Sequence, residues 1–520
     1  MNELSNKSPV NYRALFQDEM LETELEYKDK NNFEVSFDYI LQKNVKINDY
    51  SITGYIFIPP ELKLNADTYT RQQFFQDFQS SIRFQTPIFP LNSIINEDNN
   101  LSPINRVRKI LDEIASGGFD DEEINQRLIY ELKMYAQIVR SNLKNQILFL
   151  VDMCPRDDST DIVIETVQTL VDAVNKIQDK FHGFEPEFFS LHLPERTRAT
   201  YFAADEYVSY YIEHYFTVFF DKINKVEYYS SLVPLIQDVI IKRQERRKKM
   251  NYSLVLDVSD TERIERFHYW KGVLKSYIKQ VLVLQTKMSA SRKTLRVIFG
   301  ALGAFVAMGV YIFLTVGIST NLYLTPWVII VLAIYVLREN IKVIFSTGGE
   351  RFLSKWIPDR KYDIYNILGR KEKIGNIGES AKFIKFGDVP EEIIKIRNKD
   401  RASVLEREFE QEEVILYRKT IQIEADKITH IHERHKNISD VMKINIRNFL
   451  SNAWDPQESI TYYNSAEQRI DEINVPISYH LNMVLRQDYK DVKGNERTKF
   501  KRIRVIFNKN GIQKIEEISV

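Results

Sequence analysis

The chain has 520 residues, with 72 Lys plus Arg balanced by 72 Asp plus Glu. It is therefore long enough for two or three domains, and it carries no net field that would demand nucleic acid as a partner. One cysteine, Cys154, excludes an intrachain disulfide, and 17 Gly and 15 Pro are too few for a low-complexity tether.

Residues 1–100 are expected to form a small α+β module. Tyr12, Leu15, Phe16, Met20 and Leu25 recur at helical spacing over 10–28. Phe33, Val35, Phe37 and Tyr39 alternate with polar residues, which predicts a strand, and a second strand over 50–58 stops at Pro59–Pro60. Phe74, Phe75, Phe78 and Ile82 predict a helix over 70–84. The opening MNELSNKSPV lacks the basic and apolar plan of a signal peptide.

Residues 101–294 read as a mainly α-helical region. Pro103 opens a helix that Gly117–Gly118 ends, and a long periodic stretch covers 120–153. QILFLVDM, followed by Asp157, Asp158 and Asp161, has two readings. As a buried strand it would deliver Asp152 and its neighbours to a magnesium or phosphate site; as a continuing helix it would precede an Asp-rich N-cap. The unbroken 3.6-residue period favours the helix. Tyr207, Tyr210, Tyr211, Tyr215, Phe216, Phe219 and Phe220 make an aromatic helix suited to core packing. KRQERRKK at 242–249 places Lys242, Arg243, Arg246, Arg247, Lys248 and Lys249 at a helix end, where they complement the dipole and could meet anionic lipid. A capping box at Ser259 and Glu262 opens a stiff helix, with apolar residues from Phe267 to Met288.

Val297 to Leu337 contains no Asp, Glu, Lys, Arg or His. The run is about twice as long as one bilayer crossing needs, which predicts a two-helix transmembrane hairpin over 295–338. The small residues Gly300, Gly303, Ala304 and Ala307 offer a helix-packing and self-association face. Arg292, Lys293 and Arg296 before the run, and Arg338 and Lys342 after it, place both flanks on the cytoplasmic side. The expected location is thus the cell (cytoplasmic) membrane, as a multi-pass protein with N and C termini in the cytoplasm and the lipid bilayer as a partner. Residues 339–370 read as a juxtamembrane amphipathic segment carrying Phe352, Leu353, Trp356 and Ile357.

Residues 371–520 are expected to form an α+β domain with an antiparallel sheet. Strands are predicted at 414–424, 479–485, 503–507 and 512–518, with a helix over 437–450. Asn510–Gly511 is a strong hairpin signal. ITHIHERH brings His430, His432 and His435 within six residues, enough imidazoles for zinc with Glu424 or Asp426 adding an oxygen, although the spacing is no known zinc pattern.

No phosphate-binding loop, dinucleotide fingerprint, nucleophile elbow, CxxC pair or kinase signature occurs, so the sequence leans away from an enzyme and implies no named cofactor. The fold class expected is a membrane-anchored multidomain protein: a mainly α N-terminal cytosolic region with a small α+β module, the hairpin, and the α+β C-terminal domain. The function expected is a membrane-anchored interaction, sensing or scaffold module that self-associates or holds a protein partner. The alternatives are an oligomeric membrane-pore effector of the defence or toxin type and a membrane-tethered metal-dependent hydrolase.

Overall fold

The structure is a computed structural model that describes residues 25–42, 45–118, 121–154, 160–224, 226–256, 258–289, 301–310, 312, 333, 335–336, 340, 358–365, 372–399, 412–431, 433–434, 437–491 and 494–520. Two antiparallel sheets and a helical layer share one continuous apolar core.

The chain enters through β1 (Leu25–Asp29) and β2 (Asn32–Ile40), crosses β3 (Ile47–Ile58), and turns through α1 (Arg71–Asp77) into β4 (Phe78–Phe84). Thr70 caps α1: its hydroxyl accepts from the Gln73 backbone and its own amide donates to the Gln73 side chain. The helix then stops at Asp77, because Phe78, Ile82 and Phe84 continue as a strand paired with a distant segment. The helical layer follows: α2 (Leu91–Ile95), α3 (Pro103–Glu113), α4 (Glu122–Met153), α5 (Thr160–His182), α6 (Glu185–Ser190), α7 (Glu195–Ile223), α8 (Val233–Lys249) and α9 (Thr261–Lys279). Asp121 caps α4. This helix runs unbroken to Met153, so Asp152 lies in its last turn rather than on a strand. Asp260, not Ser259, caps α9 by accepting from the Glu262 amide.

The chain then leaves the helices as β5 (Gln285–Met288), which pairs with β6 (Arg360–Tyr365). The remainder comprises β7 (Lys373–Ile384), α10 (Glu391–Arg397), β8 (Glu413–Glu424), α11 (Ala425–Ile431), β9 (Asn437–Asn445), α12 (Arg447–Ser451), β10 (Gln457–Asn464), β11 (Arg469–Pro476), β12 (Tyr479–Lys490), β13 (Glu496–Asn508) and β14 (Gly511–Ile518).

The eight-stranded sheet has the order β14-β13-β12-β3-β8-β7-β6-β5, and the four-stranded sheet β1-β2-β9-β4. β3 therefore lies between two strands more than 350 positions later, in register Gly54↔Tyr417 on one side and Gly54↔Leu485 on the other. Residues within 1–100 and 371–520 build neighbouring strands of the same sheets. Alternation along β3 sends Ile52, Ile56 and Ile58 into the main core, while Tyr55 and Phe57 pack under α10 with Val389, Ile393 and Val414. The two sheets meet face to face, with the Tyr39 and Tyr50 rings 4.5 Å apart, and Phe74 of α1 lies 5.7 Å from Tyr417 of β8.

Several sequence expectations need correction. The two-helix transmembrane hairpin is not supported: among the described residues no helix is long and apolar enough to cross a membrane. Within that run residues 301–310 are helical. Most of 297–337 lies outside the described residues. The membrane-anchored fold class and the cytoplasmic-membrane location with both termini in the cytoplasm depend on that hairpin and fall with it; what is described is a fold of mixed helices and sheets. The helix expected to run stiffly from Ser259 to Met288 ends at Lys279, and its last residues become the edge strand β5. The helix expected over 437–450 is strand β9 followed by the short α12. Inserted between β2 and β4, β9 completes ladders on both sides, and that tertiary pairing overrides its helical spacing.

Candidate interaction surface

β10 and β11 form an arm that joins neither large sheet. Eight residue pairs run in strict register from Gln457↔Pro476 to Asn464↔Arg469, and among the described residues no third strand adds to them. The tip is closed by Asn464, whose side-chain oxygen accepts from the amides of Ala466 and Glu467 and whose amide donates to Asp471 at 2.9 Å. The base is pinned: the Ile477 amide donates to the Pro456 carbonyl at 3.0 Å, the Trp454 amide to the Tyr479 hydroxyl at 3.1 Å, and Lys509 pairs with Asp455 at 2.9 Å.

Opposed residues point to the same side of a ladder, so Ile460, Tyr462, Ile473 and Val475 share one face. These four are 44, 45, 51 and 36 % exposed. Tyr463 and Ile470 pair on the opposite face near the tip. Asp455, Glu458, Glu467, Asp471 and Glu472 face a single cation, Arg469, between 454 and 476. Arg469 is occupied locally by Glu467 and Asp471, each at 2.7 Å. The arm is thus an apolar stripe set in an acidic border. A two-stranded ladder without a covering layer is marginal in water, and exposed apolar stripes of this kind mark binding surfaces.

The chemically rich side chains lie elsewhere and are turned inward. Between α5, α7 and α8, the buried Asp205 carboxylate faces His182 Nε2 at 2.8 Å and accepts from Arg246 Nε and Nη2 at 3.1 and 3.0 Å and from the Tyr252 hydroxyl at 2.9 Å. Burial alone would push its pKa up, but the hydrogen bond and charge of His182, the charge of Arg246 and the Tyr252 bond outweigh it and hold the group below the usual carboxylate range. Arg246 also reaches Glu185 at 2.6 Å. Next to it Arg243 donates to Asn175 and Gln178, while Arg247 pairs with Glu213 and donates to the Leu254 carbonyl.

A second network joins the sheets. Lys419 Nζ donates to Asp440 Oδ1 at 2.6 Å and to Ser80 Oγ at 2.8 Å, and Ser80 and Tyr417 donate to Glu379 at 2.7 and 2.9 Å. Burial raises the Asp440 pKa, and Lys419 opposes it. Both networks tie separate elements together through several buried hydrogen bonds, the pattern of structural cross-braces, although Asp440 Oδ2 in one and Arg243 Nε in the other have no hydrogen-bond partner among the described residues. Another buried cation, Lys133, lies 3.5 Å over the Tyr277 ring, and burial with Arg196 nearby pushes its ammonium down to about 8.

In the basic run, Arg243, Arg246 and Arg247 turn inward, Lys242 pairs with Asp238 at 2.7 Å, and Lys248 and Lys249 are exposed; the run is split between core and surface. His430 belongs to α11 rather than to a strand; its side chain, with His432 and His435, lies outside the described residues. Among the described residues no three His, Cys, Asp or Glu are grouped to hold a metal. Glu424 ends β8 and pairs with Lys427 at 3.0 Å, and Asp426 lies in the first turn of α11. Asp161 opens α5, while Asp157 and Asp158 lie outside the described residues. Gly303 and Ala307 are buried and Ala304 exposed; Gly300, Arg292, Lys293, Arg296, Arg338 and Lys342 lie outside, as does the amphipathic segment at 351–357.

The sequence signal for the arm at 457–476 is weak. The available signal is the alternation of Ile460 and Tyr462 with Thr461 and Tyr463, mirrored by Ile473 and Val475 across an Asn-Ser turn. The two inward networks have no sequence signature, since their members lie 20 to 340 positions apart. Compared with known proteins, the chain matches no family model, no curated protein and no solved structure.

Proposed function

We propose that this protein is an interaction or scaffold module whose binding element is the β10–β11 arm. The partner is a protein surface with an apolar centre and a Lys- and Arg-rich border. The carrying observation is the uncovered stripe of Ile460, Tyr462, Ile473 and Val475 on an acidic, otherwise unsupported hairpin. Covering that face removes apolar surface from water and supplies the missing layer, while the acids steer a basic partner toward it. The pinned base supports the same reading, because a partner has only the arm itself left to order.

A photo-crosslinking residue placed at position 473 or 462, on the stripe, is compared with one at 474, on the opposite face. In extract of the cells that make the protein, the stripe positions should give discrete crosslinked species that fade as salt rises, and position 474 should give none. Equal labelling from both faces, or no adduct from either stripe position, overturns the assignment.

A further inference from the structure

α4, α7 and α9 meet around two cations. Lys133 of α4 is 5 % exposed, and its ammonium lies 3.5 Å over the Tyr277 ring of α9. Thr200 of α7 holds that ring in place. Its hydroxyl donates to the Arg196 carbonyl at 2.7 Å, so in their own contact the Tyr277 hydroxyl donates to Thr200 Oγ1. Arg196, exposed at the start of α7, brings a second positive charge close enough to oppose the ammonium. Burial and Arg196 both act against the charged form of Lys133, and no carboxylate offsets them. Among the described residues no acid pairs with either cation. One turn further along the same side of α4, Gln137 is 2 % exposed and its Nε2 has no hydrogen-bond partner among the described residues. Buried charges are ordinarily paired and buried donors hydrogen-bonded, so this surplus of positive charge and donors marks a place completed from outside the chain.

We propose that the junction of α4, α7 and α9 binds a phosphate group, free or carried by a small molecule, with Lys133 and Arg196 as its positive contacts. Two cations match a dianion better than they match a single carboxylate, and partial burial strengthens the attraction by thinning the water between the charges. The Tyr277 ring is the platform that holds the ammonium, and the exposed Arg196 closes the outer side. The site shares no residue with the arm, so the two assignments stand or fall separately.

The test is isothermal titration calorimetry of the purified full chain near neutral pH and at constant ionic strength. The probes are inorganic phosphate, glycerol phosphate and acetate. Wild type should bind one or both phosphates saturably, and acetate at least about tenfold more weakly. The tighter of the two phosphates tells whether the group is free or esterified. Lys133→Met and Arg196→Gln should each weaken phosphate by about tenfold or more, and Lys133→Arg by less. Lys271→Met removes a cation stacked on a different ring, that of Tyr210, and should leave the affinity unchanged. Arg196 is exposed, so its variant still reports on the site if the far-UV spectrum of Lys133→Met departs from wild type. Absence of saturable phosphate binding by wild type, wild-type affinity in Arg196→Gln, or acetate bound as tightly as phosphate overturns the proposal.

Discussion

Replacing Asp205 with Asn tests whether the network between α5, α7 and α8 braces the helical layer. The wild-type carboxylate has four close polar contacts, from His182, twice from Arg246, and from Tyr252. Asparagine keeps one acceptor oxygen and turns an NH2 toward groups that themselves donate, so at least one charge-assisted bond is lost and a donor is opposed. Removing one partner of a buried ionic set costs about 3–5 kcal/mol. Arg246 retains Glu185 at 2.6 Å, which places the loss near the lower end, about 3 kcal/mol. Tyr252→Phe, which removes a single bond, should cost about 1 kcal/mol. The pH dependence carries a sign. Asp205 is held below its unfolded value of about 3.9, so its contribution is present above that value and is lost as pH falls through the folded one. In urea unfolding followed by far-UV circular dichroism, the gap between wild type and Asp205→Asn should hold from pH 7 to about 5 and close below about 4. Equal stability at pH 7, or a gap that widens in acid, refutes the assignment.

Lys419→Met should destabilise by about 3–5 kcal/mol in the same assay by stranding Asp440, while Lys419→Met with Asp440→Leu should recover most of the loss. Gly511→Ala should cost more than about 1 kcal/mol, because φ is +123° and the added Cβ would lie 2.6 Å from the Lys30 carbonyl oxygen; Gly494→Ala, also at positive φ but in open space, should cost less. Lys133 titrates below its unfolded value, so the unfolded chain binds more protons between about 8 and 10.4 and stability should rise with pH across that window, by up to about 3 kcal/mol. Lys133→Met should flatten that rise between pH 8 and 9.5, and an unchanged slope would exclude Lys133 as its source.

Sequence spacing disclosed elements whose partners are local or whose alternation is clean. β2, β3, β8 and the β13–β14 hairpin lie where alternating residues and the Asn510–Gly511 turn indicate, and α4 reaches Met153 as its 3.6-residue period requires. Failures cluster where distant pairing decides the conformation. Phe78 to Phe84 and Asn437 to Asn445 have helical spacing, yet they pair with each other, and β9 is also flanked by β2. The arm was illegible for a different reason: its apolar residues lack a core, so hydrophobicity gave no hint of the side that stays uncovered. Lys419 and Asp440 are separated by 21 positions and Ser80 by 339 from Lys419, and only the face-to-face sheets bring them together. The basic run at 242–249 looked like a surface patch because composition cannot distinguish an arginine aimed at solvent from one aimed at Asp205.

The position of the arm follows from this long-range pairing. β9 belongs to the four-stranded sheet and β12 to the eight-stranded one, so the chain must cross between sheets within residues 446–478. α12 makes the first part of the crossing, with Phe449 buried against Tyr69 at 5.7 Å between ring centres. Trp454, Pro456 and Ile477 then close the base of the arm against the Tyr479 end of β12. A crossing alone needs only a few residues; the excess is the arm, projected from a point fixed by both sheets. Binding energy applied to the stripe therefore meets a root held by the Trp454–Tyr479, Ile477–Pro456 and Asp455–Lys509 contacts. With the root pinned, only the two strands of the arm are left to order on binding, which limits the entropic cost of association.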